Sequence, residues 1–215
     1  LDLQQVTALS SAQVAALTPA QIAALDDTQF AALTAQAIRG LSAAQMARLT
    51  TDQIQALTTL QAAALSSSQV AALTTAQTVA LETADLIALS TAAIAGMTTA
   101  QVASLGVSQV QSLTDAQIMA VETADIRAMT TAQVSALTAS QVEVLTIPQL
   151  VAMTTAQIAA LTSPLSDEQQ VARDIGALSI TAVRSLTTAQ IAAWSTAHAA
   201  ALSSVQVAAM STAQV

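Results

Sequence analysis

An apolar residue returns at every eighth position along almost the whole chain, and this period restricts the fold more than any other feature. Leu stands at 1, 9, 17, 25, 33, 41, 49, 57, 65, 73, 81 and 89, and Met97, Leu105, Leu113, Val121, Met129, Leu137, Leu145, Met153 and Leu161 continue the series. It resumes at Leu178, Leu186, Trp194, Leu202 and Met210. The unit reads L-[TS]-x-A-Q-[VI]-A-A, counted from the Leu as position one. A continuous helix turns about 100° per residue, so eight residues leave a drift of roughly 80° per unit. The apolar residues would then spiral over every face, and no stripe could be buried. The period therefore requires the helix to break once per octad.

The remaining positions supply the break. Position two is mostly Thr or Ser, and position five, three residues on, is mostly Gln. That is a capping box: the hydroxyl accepts from the N3 amide while the Gln side chain reaches back to the cap amide. Asp26 and Gly106 replace the hydroxyl residue in two octads, and both types serve as N-caps. Positions one and six become N′ and N4, the two ends of a hydrophobic staple such as Leu17 with Ile22. Pro19 falls at N1, and Pro148 and Pro164 fall one place later in the first turn, where no intrahelical donor is lost.

The predicted architecture is all-α, a solenoid or superhelix of very short capped helices, one per octad, running from position three to about position eight. Helices this short are not stable alone and must stack on neighbours. A β-solenoid is disfavoured because Ala and Gln are poor strand formers and period-two alternation is missing. Positions one and six face the interior, and a small position eight permits close approach of adjacent helices. Position seven, with Arg39, Gln55, Gln111, Arg127, Glu143 and Arg184, is the solvent-facing edge. Where position six is Ala62, Leu60 is expected to fill the gap, and Val79 stands beside the polar Thr78.

Residues 1–215 read as a single octapeptide-repeat solenoid with one irregularity at 161–178. Leu161 and Leu178 are 17 residues apart where two octads need 16. Ser166 with Gln169 restarts a capping box, and "DEQQVARDIGA" suits one longer helix, a kink in the superhelix and not a domain boundary. The opening at Leu1 and the stop within a repeat at Val215 read as an excerpt of a longer chain.

Catalytic material is scarce. The chain has one His, no Cys and no Lys, so a nucleophilic triad, a zinc site or a disulfide lacks its parts. His198 takes the Gln slot and reads as a cap substitute; Phe30 and Trp194 read as core. A net charge of −8 opposes nucleic acid and anionic membranes. No uninterrupted apolar stretch approaches the roughly 20 residues of a spanning helix. In "LETADLIAL" (81–89) and "VETADIRAM" (121–129), positions two and five become Glu and Asp together. Glu82, Asp85, Glu122 and Asp125 are thus weak calcium candidates only. Two carboxylates per copy fall short of the six to eight oxygens calcium takes, about as many as any calcium site needs. The simpler reading is a helix start with acids near the positive dipole end. No catalytic, cofactor or metal residue is assigned.

"LTPAQIAAL" (17–25) resembles the opening of a TAL-effector repeat, a DNA-binding module. The likeness covers about one octad, and that family's longer unit, base-reading loop and basic residues are missing, so DNA reading is not carried over. Nearly the whole chain is similar to octapeptide tracts of "LTTAQVAALTTAQIAAL" type in very large bacterial proteins. That resemblance implies an extracellular or cell-surface structural role without enzymatic activity: a spacer, adhesin stalk or filament-forming module. Its partners would be other repeats or copies of itself, joined end to end or laterally. The alternative is a solenoid scaffold presenting a surface to a peptide, glycan or protein.

Overall fold

The structure, a computed structural model, describes residues 2–161, 178, 180–192, 194 and 196–215. Among these residues every regular element is an α-helix of four to six residues. The helices begin at position three of the frame: Ser11–Ala16, Pro19–Ala23 and Asp27–Ala31 early in the chain, Thr75–Ala80, Thr83–Ala88, Thr91–Ala95 and Thr99–Ser104 further on. Among them none is long and apolar enough to cross a membrane.

The caps form as the pattern predicts. The Gln21 amide donates to Thr18 Oγ1 at 3.2 Å, and the Thr18 amide donates to Gln21 Oε1 at 2.8 Å. Asp2 and Asp26 close the same box through their carboxylates. At Gly106 only one half is possible, and its amide donates to Gln109 Oε1 at 2.8 Å. Pro19 sits at N1 and Pro148 at N2; Pro164 lies outside the described residues. Two consecutive extended residues make corners such as that at Leu81 (φ −59°, ψ 130°) and Glu82 (φ −68°, ψ 150°). No described residue has a positive φ. The chain can therefore turn at every octad while holding only four glycines.

Each helix packs on the third one along the chain. Pro19–Ala23 meets Ala43–Met46, and Thr83–Ala88 meets both Thr59–Ala63 and Val107–Ser112. One coil is thus three octads, 3 × 8 = 24 residues. The chain divides into two compact units, Leu1–Leu113 and Thr114–Val215. The rule holds in the second as well, where Thr123–Ala128 meets Ile147–Ala152, which in turn meets Ile180–Ser185.

Positions one and six build the core. Ile22, Phe30, Ile38, Met46, Ile54 and Leu86 are fully buried, with Leu33, Leu41, Leu49 and Leu57 nearly so. Leu9, Leu17, Leu202 and Met210 are half-buried, since each has a coil on one side only. Trp194 is half-buried as well, not a core residue. Position seven faces solvent at all six of the residues named for it.

One expectation about packing fails. Leu60 does not fill the space beside Ala62; it is 76% exposed while Ala62 is fully buried. Two residues along a helix are about 200° apart, so Leu60 has to point away from the face that carries Ala62. Thr78 is itself the buried residue, its hydroxyl donating to the Thr74 carbonyl at 3.0 Å, and Val79 is exposed.

Position eight lies over position three of the preceding coil. A Cβ on Gly40 would stand 2.1 Å from the Ser11 carbonyl oxygen, and one on Gly96 would stand 2.5 Å from Ser67 Cβ. Small residues at this position set the approach of the coils.

The irregular segment also counts differently from its sequence spacing. Ile147–Ala152 meets Ile180–Ser185 and Thr155–Ala160 meets Thr188–Ala192, offsets of 33 residues where 24 is the rule. The coil that passes through 161–178 is thus 33 − 24 = 9 residues longer than the others. The longer helix and the Ser166/Gln169 box expected there lie outside the described residues.

Candidate functional site

The position-five glutamines have a second role beyond the caps. With Oε1 engaged at the cap amide, Nε2 points into the preceding coil and donates to two main-chain carbonyls. Gln45 reaches Val14 and Leu17, both at 2.8 Å, and Gln53 reaches Ile22 at 3.0 Å and Leu25 at 2.8 Å. Gln77 reaches Met46 and Leu49, and Gln101 reaches Val70 and Leu73, all within 2.8 Å. The second unit repeats this with Gln149 on Ile118 and Val121 and Gln157 on Ile126 and Met129. The acceptors stand 28 and 31 residues back. For Gln190 they stand 37 and 40 back, at Met153 and Leu150, the same nine extra residues. These glutamines are buried, whereas Gln5, Gln13 and Gln21 of the first coil are exposed and only close their caps.

The sequence reading misses this ladder because capping alone explains Ser/Thr-x-x-Gln. One signal was present. Glu serves a capping box as well as Gln and suits the helix dipole better, yet no position five holds Glu. A carboxylate has no N–H to offer the coil below.

Five slots depart from glutamine in an informative way. Ala37 and Ala93 keep the cap hydrogen bond from Thr34 and Ser90 but bring no side-chain donor. Asp85 is buried, and burial first, then the charge of Glu82, push its carboxyl from 3.8 up to about 6. His198 is buried in its slot with its ring stacked on Trp194, centroids 6.4 Å apart, and burial lowers its pKa. Asp125 is buried in the corresponding slot of its octad, while Glu82 and Glu122 are exposed N-caps that make no side-chain cap bond. Glu82 with Asp85 and Glu122 with Asp125 lie in different units. Among the described residues no three His, Cys, Asp or Glu side chains gather into a set able to hold a metal ion.

The surface offers little chemistry. A shallow groove of about 660 Å³ is lined by Thr18, Pro19, Ala20, Ala23, Ala24 and Arg48, one charged group on an apolar floor. Arg39 and Arg48 belong to consecutive octads, so they do not stack in one column of helices. In the second unit, Arg127 and Arg184 do share a column, with Val151 between them at the same position seven.

A repeat-family model, the ALTTAQ repeat, matches residues 1–34, 22–59, 78–115, 118–155 and 172–204. The chain belongs to the ALTTAQ repeat family. ALTTAQ repeats in this chain are thus capped helices joined coil to coil by the Gln that ends the family's own motif. A comparison with curated proteins gave no match.

Proposed function

We propose that this ALTTAQ-repeat chain is a non-enzymatic structural segment: a spacer, adhesin stalk or filament-forming module of a large bacterial secreted or surface protein. The observation that carries this reading is the glutamine ladder. The polar side chain that recurs at position five is engaged in joining coil to coil. What remains outside is mostly Ala, Thr and Ser with few charges, a surface suited to holding a distance and poor in catalytic groups. Gln5, Gln13 and Gln21 support association with further repeats or with a second copy, because their Nε2 groups stay at the surface. An acidic chain without Cys or Lys is compatible with an extracellular setting.

The test compares the chain with a variant carrying Gln5→Glu, Gln13→Glu and Gln21→Glu, which keeps the cap acceptors and removes the donors. Sedimentation should show assemblies larger than one chain for the first and fewer for the second. Monomers only, with intact helicity, would refute the assembly. Fractionation of the parent bacterium checks the setting, and recovery from the cytosol alone would refute the surface role.

A further inference from the structure

The ladder of the first unit is interrupted twice in succession. Gln77 and Gln101 make full rungs, and between them the slots hold Asp85 and Ala93. By the 28- and 31-residue register, the carbonyls left without a glutamine are those of Leu57 and Ile54, then Leu65 and Ala62. Ile54 and Ala62 still accept from the Leu57 and Leu65 amides at 3.3 and 3.1 Å. Alanine leaves its slot neutral. Aspartate does not: Asp85 is 2% exposed, and its Oδ2 has no hydrogen-bond partner.

An ionised carboxylate in this slot offers only lone pairs to a coil that also presents carbonyl lone pairs. A protonated one carries no charge and has an O–H, a donor as Nε2 is in the slots of Gln77 and Gln101. Burying an unpaired charge is far more costly than burying a neutral acid. No counter-charge lies nearby. The helices packed on Thr83–Ala88 are Thr59–Ala63 and Val107–Ser112, and neither has a titratable side chain. The flanking Thr75–Ala80 and Thr91–Ala95 have none either, and Thr51–Gln55, whose Ile54 carbonyl belongs to this slot, carries only the exposed Asp52, of the same sign as Asp85. The charged neighbour on its own element is Glu82, of the same sign.

We propose that Asp85 makes this rung a proton-operated joint, which tightens when the acid is protonated and loosens when it ionises. The carboxyl titrates near 6 in the folded chain against 3.8 ordinarily. The folded state therefore holds the proton more strongly. The stabilisation is full below the ordinary value and is lost as pH rises through about 6.

Hydrogen exchange on the full chain between pH 4 and 7.5, corrected for intrinsic rates, tests this at segments 54–58 and 83–89. Protection there should fall by up to about a hundredfold across the window, the limit set by a shift of about two pH units. It should fall far less at the Gln53 rung. Asp85→Asn should abolish the local pH dependence and Asp85→Gln should restore a full rung, with protection high throughout. Carboxyl NMR of the unmutated chain, which needs no variant to fold, should place Asp85 near 6, and Glu82→Gln should lower that value. An Asp85 titrating in the ordinary range, or equal pH dependence in the Asp85→Asn variant, would overturn the proposal. So would protection at neutral pH that rises with added sodium or calcium, since a cation and not a proton would then close the rung.

Discussion

Replacing Gln53 by Ala separates the ladder from the cap. Gln53 is 1% exposed, accepts from the Thr50 amide at 3.0 Å and donates to the Ile22 and Leu25 carbonyls at 3.0 and 2.8 Å. The three lost bonds are not equal. Thr50 is exposed, so its amide is rehydrated, and the Ile22 carbonyl keeps the Leu25 amide at 3.2 Å. The Leu25 carbonyl loses its donor inside the coil junction, at a cost of about 1–3 kcal/mol. Losing the buried Cγ adds roughly 0.8 kcal/mol, and losing half the capping box adds a few tenths, about the lower end of cap effects. The sum is about 3 kcal/mol. Gln13→Ala removes the same side chain from the exposed first coil, where only that half of the cap is lost, and should cost only a few tenths, about 0.5 kcal/mol at most. Denaturant titration followed by far-UV circular dichroism, with hydrogen exchange to localise the opening, measures both. Gln53→Glu is the control: it keeps the acceptor without the donors, should be at least as damaging at neutral pH, and should recover partly in acid. Equal losses at Gln53 and Gln13 would refute the ladder as a source of stability.

Gly40→Ala should destabilise by about 1–3 kcal/mol through overpacking, because the obstructing atoms are Ser11 backbone. Gly106→Ser, whose Cβ would meet Gln109 Oε1 at an ordinary 3.6 Å, should instead gain a few tenths, about the value of the missing cap. Pro19→Ala should stay within about 0.5 kcal/mol by thermal unfolding, since N1 makes no intrahelical bond; a large loss would show that the ring packs against something essential. Burial depresses the His198 pKa, so stability from its neutral form is full above 6.5 and is lost as pH falls through the lower folded value. His198→Gln should remove that acid sensitivity in an NMR-monitored titration, and its persistence would point to another group.

What the octad determined alone is everything within reach of one helical turn. Thr18, Pro19 and Gln21 declare a helix start through contacts three residues apart, and Leu17 and Ile22 declare the buried face, so cap, break and core were legible without coordinates. The coil length was not. A repeat is unchanged by a shift of one unit, so the same octads carry no mark saying whether the third or the fourth neighbour lies alongside. Only packing decided that Gln53 meets Ile22 and Leu25, and only its count showed that Gln190 meets Met153 at a register nine residues longer. Leu60 and Ala62 were misjudged because filling a gap depends on direction around the helix, which composition does not convey. Asp85 shows both levels at once. In the sequence it is a first-turn acid beside Glu82, and the coil stacked on it turns it into a buried group whose charge depends on pH.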